Sequence, residues 1–134
     1  MAITYTMEKI TVIGAGAWGT ALAQMLAAAG RKTLIWGHEA EVVATINKDH
    51  ANPLFLPDVS LHGDLRATDD LAEAAQAELI LLVTPAQFLR AVTADLAKHV
   101  KAGTPAVICA KGIEKDSYAL MSEVLADTMP EAGR

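Results

Sequence analysis

Aromatic residues, cysteine and positive charge are all scarce in this 134-residue sequence. Phe, Trp and Tyr make up 4% of the chain, there is one cysteine, and 11 Lys and Arg stand against 16 Asp and Glu, for a net charge of −5. A single cysteine excludes an internal disulfide framework and is typical of a reducing cytosol. The negative charge argues against the phosphate backbone of a nucleic acid as a partner.

The sequence also lacks the patterns of metal sites and of common hydrolytic sites. It contains neither a G-x-S-x-G nucleophile motif nor a Walker phosphate loop. Cys109 has no partner for a metal site, and we expect it to be a small buried residue inside a strand. The four histidines show no spacing typical of metal ligands: His38, His50, His62 and His99. We therefore predict that the protein has no metal site.

An uncharged run over residues 10–30 raises the alternative of a signal peptide or a short membrane span. Three glycines early in this run are unfavourable in a membrane helix and favour a strand, a turn and a helix instead. With 52% hydrophobic and 20% charged residues, the chain is long enough for one folded domain. We expect a cytoplasmic protein without membrane insertion, with a flexible extension over residues 1–7 and one domain over residues 8–134.

Strand patterns and helical patterns alternate along the rest of the chain. Strands are predicted over residues 9–13, 33–36, 79–83 and 106–109, with a further short strand of undefined position before the third helix. Helices are predicted over residues 17–29, 39–48, 69–77, 86–100 and 117–129, with Thr68 as the cap of the third. This alternation predicts an α/β fold, a Rossmann-like, doubly wound and mainly parallel sheet with helices on both faces.

The most informative motif is Gly14-Ala-Gly16-Ala-Trp-Gly19, a G-x-G-x-x-G between the first strand and the first helix. The first glycine permits a tight turn, the second allows a diphosphate to approach the backbone, and the third allows the helix to pack on the strand. The diphosphate would bind the free N–H groups at the start of the helix. We therefore predict a dinucleotide site; the alternative is a tight turn that binds nothing.

The end of the second strand bears on the choice of cofactor. An acidic residue there holds the adenine ribose of NAD in many such domains, whereas this sequence has Trp36-Gly37-His38-Glu39. A histidine can attract the 2′-phosphate of NADP, so we expect either NADP or NAD to bind. The alternative for His38 is a solvated residue at the start of a helix. Trp18 and Trp36 are both expected to flank the dinucleotide.

Lys111 follows the last predicted strand, whose carboxyl end should open onto the ligand crevice. A lysine at this position can hold an anionic substrate. A surface lysine without a ligand is the alternative from position alone.

Five segments that occur in order give the sequence a family resemblance. The chain resembles the N-terminal domain of bacterial NAD(P)-dependent glycerol-3-phosphate dehydrogenases from about Glu8 to about Ala126. The segments that carry the resemblance are Gly14-Ala-Gly-Ala-Trp-Gly-Thr-Ala-Leu-Ala23, Leu34-Ile-Trp-Gly37, Asn52-Pro-Leu-Phe-Leu-Pro57, Val83-Thr-Pro-Ala-Gln87 and Ala110-Lys-Gly-Ile-Glu114. The glycine segment is shared by many dehydrogenases, whereas the third and fifth segments are more specific.

The resemblance implies a set of cofactor contacts. They are Ala17 and Trp18 at the diphosphate, His38 at the ribose or 2′-phosphate, Phe55 (often Tyr in the family) along the adenosine, Pro85 beside the nicotinamide, and Lys111 at both cofactor and glycerol 3-phosphate.

The implied reaction is the interconversion of dihydroxyacetone phosphate and sn-glycerol 3-phosphate, which supplies glycerophospholipid synthesis, in a protein that can be a homodimer. The resemblance places the catalytic lysine in a helical substrate domain beyond Arg134, so we expect no catalytic residue in this chain and a chain that binds cofactor without turnover. Two alternatives stay open: a stand-alone regulatory module that senses dinucleotides, and the N-terminal domain of a hydroxyacyl-CoA or UDP-glucose dehydrogenase.

Overall fold

The computed structural model describes residues 7–132, so the extension predicted over residues 1–7 lies outside the described residues except for Met7. Within this range five strands and five helices alternate, in the order β1 Lys9–Ile13, α1 Ala17–Ala28, β2 Lys32–Trp36, α2 Ala40–Asp49, β3 Arg66–Thr68, α3 Leu71–Ala74, β4 Leu79–Leu82, α4 Ala86–Leu96, β5 Ala106–Ile108 and α5 Met121–Thr128.

The five strands form one parallel sheet in the order β3-β2-β1-β4-β5. The chain builds outward from β1 to β3 and then continues on the other side of β1 with β4 and β5. This reversal creates a crevice between the carboxyl ends of β1 and β4, which is where open α/β sheets bind ligands. Ile13 pairs with Trp36 on one side and with Leu82 on the other, so the loops that follow these three strands begin close together. The predicted Rossmann-like fold is confirmed.

Each face of the sheet is covered by its own apolar cluster. Because successive side chains of a strand point to opposite faces, Val12 packs in one cluster and Ile13 in the other. The Val12 face is covered by buried residues of α1 and α2, and the Ile13 face by those of α3, α4 and α5. The central strand β4 contributes to both, with Leu82 fully buried on one face and Leu81 half-buried on the other.

Thr68 does not cap the third helix, as the sequence pattern had predicted. It is the last residue of β3, and the cap is Asp70, whose carboxylate accepts a hydrogen bond of 2.9 Å from the N–H of Ala72. The hydroxyl of Thr68 donates instead to Glu73. A strand of three residues at the edge of a sheet is too short to show a hydrophobic period, so only its pairing with β2 identifies it.

The last helix is shorter than the predicted range of 117–129. It begins at Met121, because Asp116 and Tyr118 adopt left-handed backbone angles, φ +69° and +57°, that a right-handed helix cannot contain. The preceding loop folds back on itself through a bridge between Ile113 and Leu120.

Three smaller expectations also differ from the structure. The third helix covers four residues, and the fourth ends at Leu96 rather than at residue 100. Cys109 follows β5 rather than lying within it, and it is half-buried. Within residues 7–132, every helix is too short or too polar to cross a bilayer.

Candidate functional site

The glycine loop, residues 14–19, connects β1 to α1 at the crevice. Its first residue, Gly14, donates its N–H to the carbonyl of Trp36 at 2.9 Å, which ties the loop to β2. Gly14 has φ +124°, and a Cβ there would lie 3.0 Å from backbone atoms of Val83 and Thr84. Both the backbone conformation and the close passage of the chain after β4 therefore require glycine.

Gly19 is required for a different reason. A Cβ at this position would overlap the carbonyl oxygen of Gly14. Without it, the first turn of α1 can pack directly against the end of β1, as the motif predicts.

Gly16 is the one glycine of the loop that the protein itself does not require. Its φ of −73° is open to any residue, and a Cβ built on it would meet no atom within 4 Å. It is exposed and immediately precedes α1, whose first turn contains no acidic residue. Among the described residues, the N–H groups of Ala17 and Trp18 have no protein acceptor. The loop therefore presents free N–H donors, the positive end of a 12-residue helix and open space, which together suit a diphosphate.

Pro85 and Lys111 lie next to each other along the same edge of the sheet. Pro85 is exposed and caps α4 immediately after β4, and the hydroxyl of Thr84 donates to the carbonyl of Ile13 at 3.2 Å. Gly112, with φ +131°, passes so close to the start of α4 that a Cβ there would lie 3.3 Å from the Cβ of Ala86. The exposed Lys111 is therefore held beside the first turn of α4.

His38 lies on the other side of the glycine loop. Gly37 is packed against the loop, because a Cβ on it would come within 3.0 Å of the Cβ of Ala15. His38 follows it and is exposed. The neighbouring Trp36, in contrast, is buried, and its indole N–H donates to the carbonyl of Asp69. Of the two tryptophans expected to flank the ligand, Trp36 has its ring in the core beneath α3, 6.4 Å from the ring of His38, whereas Trp18 is 59% exposed.

Phe55 belongs to the loop between α2 and β3, and this loop contacts the glycine loop through Asn52. Phe55 is half-buried against the Val12 cluster, and its N–H donates to the side chain of Asn52 at 3.3 Å. Asn52 is 1% exposed and donates to the carbonyl of Ala15. The sequence showed the N-x-x-F-L-P motif that contains it, but gave no sign of this contact.

Two side chains of α4 hold the loop that carries Lys111, and neither was predicted. Gln87 donates to the carbonyl of Ile113 at 3.0 Å and accepts from the N–H of Lys115 at 2.9 Å. The guanidinium of Arg90 binds the carboxylate of Glu114. Hydrogen bonding to Glu114 raises the pKa of Arg90, and hydrogen bonding to Arg90 lowers the pKa of Glu114.

No metal-binding arrangement is present in the described part of the chain, where no three His, Cys, Asp or Glu side chains converge. Burial raises the pKa of the Cys109 thiol, which keeps it protonated and unreactive at neutral pH. An apolar hollow of about 250 Å³ lies between β5 and α5, but it contains none of the predicted site residues. The candidate site is therefore the open edge formed by the glycine loop and by the ends of β2, β4 and β5.

The comparisons with known proteins agree with this geometry. A family model described as "NAD-dependent glycerol-3-phosphate dehydrogenase N-terminus" matches residues 9–133. A curated glycerol-3-phosphate dehydrogenase [NAD(P)+] of Parvibaculum lavamentivorans is 52% identical over 130 residues, which cover 97% of this chain and 39% of that protein. The chain thus spans well under half the length of this relative.

Solved structures show the same relationship. The crystal structure of glycerol-3-phosphate dehydrogenase from Coxiella burnetii superposes with a TM-score of 0.86 at 31% identity, over 94% of this chain and 39% of that one. The glycerol-3-phosphate dehydrogenase of Saccharomyces cerevisiae superposes with a TM-score of 0.82 at 28% identity, over 96% and 41%.

Proposed function

The chain belongs to the NAD-dependent glycerol-3-phosphate dehydrogenase N-terminus family, and from this premise we propose that its glycine loop binds the diphosphate of NAD or NADP. Gly16 carries the proposal. Neither the backbone angle nor the packing of the protein requires glycine at this position, whereas a bound diphosphate does. Because the chain belongs to this family, we set aside the alternative that it is the N-terminal domain of a hydroxyacyl-CoA or UDP-glucose dehydrogenase.

The other residues proposed to contact the dinucleotide lie along the edge of the sheet where the strands have their carboxyl ends. Gly14 and Gly19 shape the turn, and Ala17 and Trp18 donate their free N–H groups to the diphosphate. The residues toward the two ends of the dinucleotide are His38 and Phe55 on the adenosine side, and Pro85 and Lys111 on the nicotinamide side. His38, Pro85 and Lys111 are supported by the strand order, because β2, β1, β4 and β5 are neighbours in that order and the loops after them lie side by side. Phe55 is supported by Asn52, which joins the loop between α2 and β3 to the glycine loop.

The substrate-binding role falls to Lys111. It is an exposed cation on a loop held against α4, next to the position proposed for the nicotinamide. We propose that its ammonium group binds the phosphate-bearing substrate, and we assign no catalytic residue to the described residues. The relatives' printed name supports dihydroxyacetone phosphate and sn-glycerol 3-phosphate as the pair that the whole protein interconverts. A bound nicotinamide supplies the hydride-transfer chemistry, while the chain's own residues bind and orient it.

Either dinucleotide fits the adenosine side. No acidic side chain stands directly at the end of β2 to repel a 2′-phosphate, and His38 is exposed beside the glycine loop. We propose that NADP and NAD both bind, with His38 facing the 2′ position.

Titration of the chain with NADH and with NADPH tests the proposal. Binding is followed by calorimetry and by quenching of Trp18 fluorescence, and the key variant is Gly16→Val. Its side chain has room in the protein itself but fills the space assigned to the diphosphate, so affinity should fall by about tenfold or more while the fold is retained.

Gly63→Val is the matched control. Gly63 also has open space around it and no left-handed backbone angle, and it lies in the exposed loop before β3. This variant should bind as the unaltered chain does. An unaltered chain that is folded by circular dichroism and binds neither dinucleotide saturably would overturn the proposed function.

A further inference from the structure

Asn52 is an almost completely buried amide, 1% exposed, in the loop between α2 and β3. Its side-chain nitrogen donates to the carbonyl oxygen of Ala15 at 2.9 Å and to the hydroxyl oxygen of Thr20 at 2.9 Å. Both acceptors belong to the glycine loop or to the first turn of α1. A residue more than 30 positions away in sequence is thus bonded to the centre of the candidate site.

The three groups form a closed set of hydrogen bonds. The hydroxyl of Thr20 accepts from Asn52 and donates to the same carbonyl of Ala15 at 3.4 Å. A hydroxyl has one donor and an amide nitrogen has two, so every donor in the set is used. The carbonyl of Ala15 is therefore held toward the protein interior from two directions.

The orientation of this carbonyl determines which way the next N–H points. The carbonyl of Ala15 and the N–H of Gly16 belong to one rigid peptide plane, and in a trans peptide they point in opposite directions. Holding the carbonyl inward consequently turns the N–H of Gly16 away from the protein interior. Gly16 is exposed, and no atom lies within 4 Å of a Cβ built on it. The side-chain amide of Asn52 thus fixes the direction of the Gly16 N–H without contacting it.

The same side chain also fixes the loop that carries Phe55. Its oxygen accepts the N–H of Phe55, and Asn52 forms an antiparallel bridge with Leu56. Asparagine supplies two donors and an acceptor at one position, which an apolar residue of similar size cannot.

We propose that Asn52, with Thr20 as its partner, is a positioning residue for the dinucleotide: it sets the peptide between Ala15 and Gly16 for the diphosphate and holds Phe55 on the adenosine side. This inference rests on the proposed function and adds to it a residue outside the glycine motif. It also gives the N-x-x-F-L-P segment a physical role in the site.

The experiment compares Asn52→Leu and Thr20→Val with the unaltered chain at a temperature where all are folded. Asn52→Leu keeps the approximate size and removes the bonds from Asn52 to Ala15, Thr20 and Phe55, leaving only the 3.4 Å bond from Thr20 to the carbonyl of Ala15. NADH affinity should therefore fall about tenfold. Thr20→Val keeps the shape and removes one acceptor and one donor, and a loss of about threefold is expected.

Asn47→Leu is the matched control. Asn47 also bonds a distant backbone through both ends of its amide, to the carbonyl and the N–H of Ala67, but it does not contact the glycine loop. It should lower the unfolding temperature and leave affinity unchanged. In amide NMR spectra, the signals of Gly16 and Ala17 should shift in Asn52→Leu and stay in place in Asn47→Leu, which separates positioning from a general loss of stability.

The outcomes distinguish this inference from the proposed function. If the unaltered chain binds no dinucleotide, the proposed function is wrong. If the unaltered chain binds and a folded Asn52→Leu variant binds equally well, the inference alone is overturned. If Asn52→Leu does not fold, Thr20→Val decides, and unchanged affinity with unchanged Gly16 signals in that variant overturns the inference.

Discussion

The guanidinium of Arg90 lies 3.0 Å from both carboxylate oxygens of Glu114, and its remaining nitrogen reaches Asp127 at 3.2 Å. The first contact joins α4 to the loop that carries Lys111, and the second joins α4 to α5. The hydroxyl of Ser117 also donates to Glu114. An exposed loop of about ten residues is thus tied to the helix that begins at the candidate nicotinamide position.

This contact predicts a specific dependence of stability on pH. The hydrogen bond from Arg90, followed by that from Ser117, lowers the pKa of Glu114 from its ordinary value of 4.5. A carboxyl whose pKa is lower in the folded state stabilises the fold above the ordinary pKa and loses that effect as the pH falls through the folded pKa. The stability supplied by Glu114 should therefore be fully present at pH 6 and should decline progressively as the pH falls below the ordinary pKa of 4.5 and through the lower pKa of the folded state.

The variant Glu114→Gln measures this contribution. Its thermal unfolding midpoint should lie below that of the unaltered chain at pH 6, and the two should converge as the pH is lowered to 3. The pair of Asp95 and Lys98, in which the pKa of Asp95 is also lowered, is present in both proteins and cancels in the comparison. A difference that stays constant across this range would contradict the assignment.

The three glycines of the motif should respond differently to alanine. Gly14→Ala and Gly19→Ala should each lower the free energy of unfolding by about 1–3 kcal/mol, because one demands a left-handed backbone and the other a close approach of chains. Gly16→Ala should stay within about 0.5 kcal/mol of the unaltered chain. Denaturant unfolding followed by circular dichroism checks this order. Equal losses of unfolding free energy at all three positions would contradict the finding that a side chain at Gly16 has open space around it.

His38 should influence the choice between the two dinucleotides. His38→Asp places a carboxylate beside the 2′ position, where it repels a phosphate and can accept hydrogen bonds from ribose hydroxyls. The affinity ratio should shift about tenfold toward NADH. His99→Asp, which introduces the same charge at an exposed position near the end of α4, is the control and should leave the ratio unchanged. An equal shift in both variants would indicate a general effect of net charge.

Lys111 should contribute to binding through its charge. Lys111→Gln should weaken NADH binding up to about fivefold at low ionic strength, the range expected for an exposed ion pair, and the difference should shrink in high salt. Lys115→Gln removes an equally exposed charge four positions further along the same loop. Lys115→Gln should leave the affinity unchanged. A loss of affinity in Lys115→Gln but not in Lys111→Gln would show that Lys115, and not Lys111, contacts the dinucleotide.

Local sequence features were enough to predict much of this domain. β1 and α1 are recognisable because a β-branched run, a glycine turn and an alanine-rich helix follow one another over 20 residues, and each step depends on near neighbours. The same holds for the roles of Gly14 and Gly19. Patterns failed where an element was too short to show a period, as in β3, or where unusual backbone angles interrupted a helical pattern, as at Asp116 and Tyr118.

The sequence by itself determined the α/β order of the chain, the place of the glycine loop and the residue types available around it, since hydrophobic period and glycine chemistry are local properties. Only the tertiary structure decided which distant side chains complete the site. The amide of Asn52 bonds a carbonyl 37 positions away, and Arg90 binds a carboxylate 24 positions away. Such contacts depend on how helices and loops pack on the sheet, and packing brings together residues whose spacing in the sequence carries no signal of their contact.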